Sequence, residues 1–203
     1  MVDVDIPQLS SDGIQFGACF QYTYSLQSSS THSLSSSSFD ATGLENYISF
    51  GKLEPSPTST VVRNRTEFNS IPLDVEDLWI GRFDASDVSE FSPSRFQSLK
   101  TLVIGNGCFG NVRVFELDGL GELESVVIGQ QSFRISDDER SDGSYRIVNC
   151  PKLKSIQIGY RSFYDYHSFE LNNLPSLQSI DMGGYCFFWA PLFSLTGLID
   201  GLV

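Results

Sequence analysis

Leu153-Lys154-Ser155-Ile156-Gln157-Ile158-Gly159 is followed by Phe163 and then by Phe169-Glu170-Leu171-Asn172-Asn173-Leu174. The same pattern returns twenty-four residues later as Leu177-Gln178-Ser179-Ile180-Asp181-Met182-Gly183, Phe187 and Phe193-Ser194-Leu195-Thr196-Gly197-Leu198. Self-similarity at this period is the mark of a stacked-coil architecture. Reading outward, the first half recurs at Ile14-Gln15-Phe16-Gly17, Ile48-Ser49-Phe50-Gly51, Leu78-Trp79-Ile80-Gly81, Leu102-Val103-Ile104-Gly105 and Val126-Val127-Ile128-Gly129. An apolar residue, a variable one and a second apolar one describe a short strand with one buried face. The glycine that ends it predicts a backbone position with φ > 0.

The second half is an aromatic residue with inward positions two and five residues on. It recurs at Phe115–Leu120 and Tyr145–Cys150, and in weaker form at Phe39–Leu44, Phe68–Leu73 and Phe91–Phe96. Two short strand-like arms per coil leave no room between them for an ordinary helix of about eleven residues. The expected fold is therefore mainly β, a leucine-rich-repeat-like solenoid of about seven coils of 24–34 residues with little helix. Extra residues fall between the arms: Ser136–Gly143, the region of Pro55-Ser56-Pro57, and the Ser-rich run Ser25–Ser38, expected to be mobile. We read one domain over 1–203, irregular over 1–74 and regular over 75–203.

The chain has 203 residues and 40% hydrophobic content, enough for a sizeable core. Its net charge of −12 argues against nucleic-acid and anionic-membrane partners, which need basic patches. No apolar run is long enough to span a membrane, and the N-terminus lacks the basic start and apolar core of a secretory signal. Cys19, Cys108, Cys150 and Cys186 form no C-x-x-C pair. Cys108 and Cys186 hold the same place three coils apart, ~14 Å at ~4.8 Å per coil, too far to bridge. Free thiols and a reducing, cytoplasmic location are expected.

The frame Leu177-x-x-Ile180-x-Met182 with Phe187 at the eleventh place resembles the L-x-x-L-x-L-x-x-N-x-L segment of leucine-rich repeats. Leu99, Leu102, Ile104 and Phe109 fit it, as do Leu123, Val126, Ile128 and Phe133, and Leu153, Ile156, Ile158 and Phe163. Asn149-Cys150-Pro151-Lys152-Leu153 and Asn173-Leu174-Pro175-Ser176-Leu177 resemble the turn between repeats in BspA-type proteins of bacteria and protists. The resemblance implies a binding scaffold whose outward side chains touch a partner. The ninth place, Asn in the family, holds Gly107, Gln131, Arg161 and Tyr185. The bend must then be held by other groups, for which the recurring glycine and Cys108, Ser132, Ser162 and Cys186, one place later, are the candidates.

Motifs with chemistry are few. Gly105-Asn106-Gly107-Cys108-Phe109-Gly110 spells G-x-G-x-x-G but precedes another strand-like arm, where a dinucleotide site needs a helix. His32 and His167 lie on a Ser-rich run and a turn, away from any arranged nucleophile. Asp137, Asp138, Glu139 and Asp142 lack the spacing of a calcium loop. Asn64-Arg65-Thr66 is a glycosylation sequon, which means nothing without secretion. No catalytic residue, cofactor or metal site is assigned. Two surfaces stand out. Trp79, Val103 and Val127 start a row of outward positions continued by Gln157 and Asp181, either a partner footprint or a face covered by another segment. Tyr160, Tyr164, Tyr166, Tyr185, Phe188 and Trp189 crowd the turns of the last two coils, outside the inward frame. The expected function is a non-catalytic protein-interaction scaffold with a protein partner. The last coil is expected to be uncapped and thus able to self-associate. The alternatives are a carbohydrate-active enzyme of the parallel-β-helix kind and a structural fragment of a longer repeat array.

Overall fold

The computed structural model describes residues 14–16, 25–28, 55–83, 85–135 and 142–198. Within them, the alternation of inward and outward residues produces two parallel sheets. The first holds, in spatial order, β1 (Ile14–Phe16), β12 (Ser179–Met182), β10 (Ser155–Ile158), β8 (Ser125–Ile128), β6 (Thr101–Ile104), β4 (Asp77–Ile80) and β3 (Thr60–Val62). The second holds β2 (Ser25–Ser28), β13 (Leu192–Thr196), β11 (Ser168–Asn172), β9 (Ser144–Val148), β7 (Val114–Asp118) and β5 (Glu90–Phe91). Successive coils pair in the register set by the repeat: Ile158 faces Ile128 on one side and Met182 on the other, and all three are fully buried. The fold is mainly β and solenoid-like.

Aromatic side chains fill the space between the sheets. Phe109, Phe133, Phe163 and Phe187 stack with centroids 5.2, 4.7 and 5.1 Å apart. Phe91, Phe115, Tyr145, Phe169 and Phe193 form a second stack at 5.6, 4.9, 5.1 and 4.7 Å. The two columns meet edge to face, as at Phe115–Phe163 and Tyr145–Phe187, an arrangement that matches the ring quadrupoles. Tyr145 stands where the other members are Phe. Its hydroxyl is buried without a hydrogen-bond partner among the described residues, and burial holds the phenol well above its ordinary pKa. Removing an unsatisfied buried hydroxyl relieves its desolvation cost. Tyr145→Phe should therefore raise stability by about 1 kcal/mol in urea unfolding. A loss of stability would mean that the hydroxyl has a partner.

The corners are held as the residue types suggest. Ser132 Oγ donates to the Gly105 carbonyl at 2.7 Å and accepts from the Cys108 amide at 3.2 Å. Ser162 Oγ donates to Gly129 O at 2.6 Å and accepts from the Ser132 amide at 3.1 Å. Cys186 Sγ lies 3.1 Å from Gly159 O. This Ser/Cys ladder ties each bend to the coil before it. A second ladder runs along another corner, where Asn149 donates to Asp118 and Asn173 to Asn149, both at 2.9 Å.

Positive φ is not where the glycine pattern predicts it. Gly81, Gly105, Gly129, Gly159 and Gly183 all lie outside the left-handed region, which is occupied instead by Gln131, Arg161 and Tyr185, by Phe109, Phe133, Phe163 and Phe187, and by Asn149 and Asn173. The recurrent glycine answers to close approach. A Cβ at Gly159 would sit 2.5 Å from Gln130 N, and one at Gly183 2.5 Å from Tyr160 N. At Gly159 and Gly183 the missing side chain lets the backbone of the preceding coil pass close by. The tightness eases toward the other end of the stack, where a Cβ at Gly105 would lie 3.2 Å from Ile80 O and one at Gly81 3.4 Å from Val62 O.

The N-terminal part departs further from the expected order. β1 pairs with β12 and β2 with β13, at the far end of the stack from β3. The C-terminal edges of both sheets are thus covered by the chain's own N-terminal strands, so the expected open edge is not present. Ser25–Ser28, the start of the Ser-rich run expected to be mobile, is strand. The strand beside β4 is Thr60–Val62, not the Ile48–Gly51 chosen by periodicity, because parallel pairing asks only for the inward alternation that Thr60 and Val62 supply. Phe68 lies in a short helix, α1 (Arg65–Asn69), capped by Asn64, and Leu73 is 67% exposed. Residues 29–54, which include His32, Phe39–Leu44 and Ile48–Gly51, lie outside the described residues, as do Cys19 and the acidic segment 136–141.

Candidate interaction surfaces

The outward row of the first sheet is continuous in register: Trp79, Val103, Val127, Gln157 and Asp181. It is not the open apolar face that exposure of these residues would require. Val103 and Val127 are only 2 and 6% exposed, although they stand outside the core cluster. Flanking strands shield a side chain from its sides and not from above, so this part of the face is covered. Trp79 is half-buried and donates its indole N–H to Asp77 Oδ1 at 2.9 Å. At the end of the row, burial pushes the Asp181 carboxyl above its usual range.

The corner of the last coils is different. The twelfth place of successive repeats holds Arg134, Tyr164 and Phe188, each following a buried Phe of the core stack. The ninth place holds Arg161 and Tyr185, where φ is 57° and 64°. Left-handed turns at the ninth and eleventh places put both columns on one outer corner, and Tyr160 and Trp189 flank them. Tyr164 and Phe188 stack at 5.1 Å, Tyr185 lies 5.4 Å from Phe188, Tyr160 meets Tyr185 edge to face at 5.8 Å, and Trp189 meets Phe188 at 5.2 Å. The Arg161 guanidinium lies 5.3 Å from the Tyr164 centroid and 5.9 Å from those of Tyr160 and Tyr185. Arg134 lies 5.7 Å from the Tyr164 centroid. Tyr185 is 38% exposed, Arg134 is exposed, and the other rings are half-buried.

Of the residues singled out in the sequence, Tyr160, Tyr164, Tyr185, Phe188 and Trp189 are brought into one ring cluster. Tyr166 is not part of it: it is fully buried and its hydroxyl donates to Val112 O at 2.7 Å. The two arginines escape a search for aromatic residues alone, yet they occupy the same repeat places as the rings. Asp165 shares the corner; burial pushes its carboxyl upward against the pull of Arg134 and Arg161.

Other chemistry is limited. Across the outer face of the second sheet, Arg146 is flanked in register by Glu116 and Glu170 and bonds them at 2.6 and 3.1 Å, with Asp118 at 3.5 Å. The sequence carries this row, since each residue follows an inward aromatic, but it shows only when the second arms are aligned. The acids are taken up by Arg146, whose pKa they raise. Cys108, Cys150 and Cys186 are buried thiols, and burial pushes the Cys108 thiol up to about 12 and that of Cys150 to about 11. Neither is a thiolate at neutral pH. Gly107 and Gly110 of the G-x-G-x-x-G line a 580 Å³ cleft with Arg82 and Phe109, but strand β7 follows instead of a helix. His167 is exposed on a turn. No helix among the described residues is long and apolar enough to cross a membrane. No protein-family model, curated protein or solved structure matches the chain.

Proposed function

We propose that this chain is a non-catalytic protein-interaction scaffold: a leucine-rich-repeat-like solenoid of about seven coils that presents outward side chains to a protein partner. The observation that carries the reading is the corner cluster of Tyr160, Tyr164, Tyr185, Phe188 and Trp189 around Arg161. Tyr, Trp and Arg dominate the energetic centres of protein interfaces, because they offer large rigid contact area and directional donors. A chain packing only for its own stability has little use for half-exposed rings on positively twisted turns, where any polar residue would serve. The covered Trp79–Val103–Val127 face is the lesser candidate, open to a partner only if its cover moves. The buried thiols fit the reducing, cytoplasmic setting that goes with this reading.

A bait of the full chain is expected to retain a specific protein from extracts of its native cells. The double variant Tyr185→Ser, Trp189→Ser should lose that protein while melting within a few degrees of the original. Identical retained proteins for the two baits would rule out the corner as the binding surface.

The alternative, a carbohydrate-active enzyme, draws on the Glu116–Arg146–Glu170 row, the kind of acid–base array on adjacent coils that such enzymes use. It would require release of reducing sugar from a polysaccharide and loss of that release in Glu170→Gln.

A further inference from the structure

The cations of this chain are scarce, 13 Lys and Arg against 25 Asp and Glu, and most that can be placed are already paired. Lys100 bonds Glu76 at 2.8 Å, Lys152 bonds Glu122 at 2.7 Å and Lys154 bonds Glu124 at 2.6 Å. Arg65 pairs with Asp87, Arg113 with Asp142, and Arg146 with Glu116 and Glu170. Arg134 and Arg161 make no ion pair and no side-chain hydrogen bond among the described residues, and the acid that shares their corner is Asp165, whose carboxyl both charges pull, one carboxylate beside two cations. Arg161 goes further, since its Nε is buried with no acceptor. Arg63, Arg82 and Arg95 also lack ion pairs among the described residues, but within that set only Arg134 and Arg161 converge on one ring, Tyr164.

A guanidinium held against tyrosine faces keeps its edge N–H groups in a fixed plane, ready for a carboxylate and at little further loss of side-chain freedom. Arg134 and Arg161 stand on adjacent coils, and the rings of Tyr185, Phe188 and Trp189 continue onto the next. The corner therefore extends over ~10 Å at ~4.8 Å per coil, about three residues of extended chain at ~3.3 Å each. A lone inorganic anion would use the arginines and leave the rings idle.

We propose that this corner docks an acidic peptide segment of a partner protein, with carboxylates on Arg134 and Arg161 and an apolar side chain on the Tyr185–Phe188–Trp189 ridge. The assignment rests on the scaffold reading above and gives that partner its chemistry. It also gives the pair a role in selectivity: the rest of a surface with net charge −12 repels acidic chains, so only a segment reaching this corner is held.

The test is selection of a displayed random-peptide library on the immobilised full-length chain. Enriched sequences should carry two or more Asp or Glu beside an apolar residue. Synthetic copies should lose roughly tenfold or more in affinity on Arg134→Gln and again on Arg161→Gln. Gln131 fills the equivalent place of the preceding coil with the same left-handed backbone, so Arg161→Gln should fold, which a thermal melt checks. Gln-for-Glu copies of the peptides should bind as weakly as the acidic peptides bind the double variant. Enriched neutral or basic peptides that depend on Tyr185 and Trp189 but not on the arginines would overturn the acidic assignment and leave the scaffold reading standing. Peptides indifferent to both sets of substitutions, or no enrichment, would overturn both. Retention by anionic lipid vesicles in place of peptides would overturn the assignment to a protein partner.

Discussion

Gly159→Val is expected to abolish cooperative folding, and Gly159→Ala to cost about 3 kcal/mol or more. A Cβ at this position would lie 2.5 Å from Gln130 N, 2.6 Å from Gly129 C and 2.8 Å from Gln130 Cα. All three are backbone atoms of the preceding coil, so no rotamer change relieves the clash. Relief requires opening the step between β8 and β10, and that step carries the Gly159 N–H···O=C Ile128 bond at 2.7 Å and the Ser162 hydroxyl on Gly129 O. Two other glycines separate the steric cause from backbone strain. Gly119 has φ of 70° and open space around it, so Gly119→Ala should cost about 1 kcal/mol from strain alone. Gly121 has open space and no positive φ, so Gly121→Ala should be neutral or stabilising by a few tenths. Urea midpoints in the order Gly121→Ala, Gly119→Ala, Gly159→Ala, from most to least stable, would establish close approach as the reason for the repeat glycine. Near-equality of the last two would show that the preceding coil gives way cheaply and that close approach does not demand the glycine.

The same glycine shows how far the sequence could be read. The periodicity placed it at the end of each first arm, but two physical reasons produce a recurrent glycine, and the letter is identical for both. The inward columns were legible because burial selects residue type directly: Leu102, Val126, Ile156 and Ile180 are all fully buried. So was the corner ladder, where a small donor at one repeat place, Ser132 or Ser162, reaches a carbonyl that the coil leaves unpaired. Left-handed backbone at Phe133, Phe163 and Phe187 was not legible, because propensity opposes it. There the gain from stacking rings at 4.7 to 5.2 Å through the core outweighs a local cost of about 1–2 kcal/mol per residue.

In the candidate site the rings of Tyr160, Tyr164, Tyr185, Phe188 and Trp189 were visible as aromatic residues outside the inward frame. That Arg134 and Arg161 join them follows only from the corner geometry, which stacks the ninth and twelfth places of adjacent coils. Exposure was the least legible property. Val103 and Val127 carry the outward phase of a strand and are nevertheless covered, and nothing in their local sequence says what lies above them. Strand order was equally silent at the N-terminus. Ile14-Gln15-Phe16 has the alternation of every first arm and fits beside any of them, so local pattern alone could not place it next to β12 instead of at the head of the stack.

Deletion of residues 1–28 should make the protein self-associate through the strand edges it uncovers. Without β1 and β2, the backbone groups of Ser179–Met182 and Leu192–Thr196 lose the partners they have in Ile14–Phe16 and Ser25–Ser28. Unpaired parallel edges are templates for another chain. The layer behind them contains Met182, Phe187, Phe193 and Leu195, none more than 3% exposed in the intact protein, and loss of the end strands would open that layer to water. The covering strands come from the opposite end of the sequence. After β2 the chain must return past six strand positions, ~29 Å at ~4.8 Å each, to begin β3 at Thr60. The stack is therefore closed by contacts of very long sequence separation. That makes closure slow, but it ties the last coils to the chain's beginning, and a tethered segment acts at an effective concentration no free partner reaches. Light scattering of the deleted form should give a mass that rises with concentration, with a lower melting temperature. A separate peptide of residues 1–28, added in excess, should restore the mass of the intact protein. A deleted chain that kept the intact protein's mass and melted as before would show that the N-terminal strands do not hold the end of the stack.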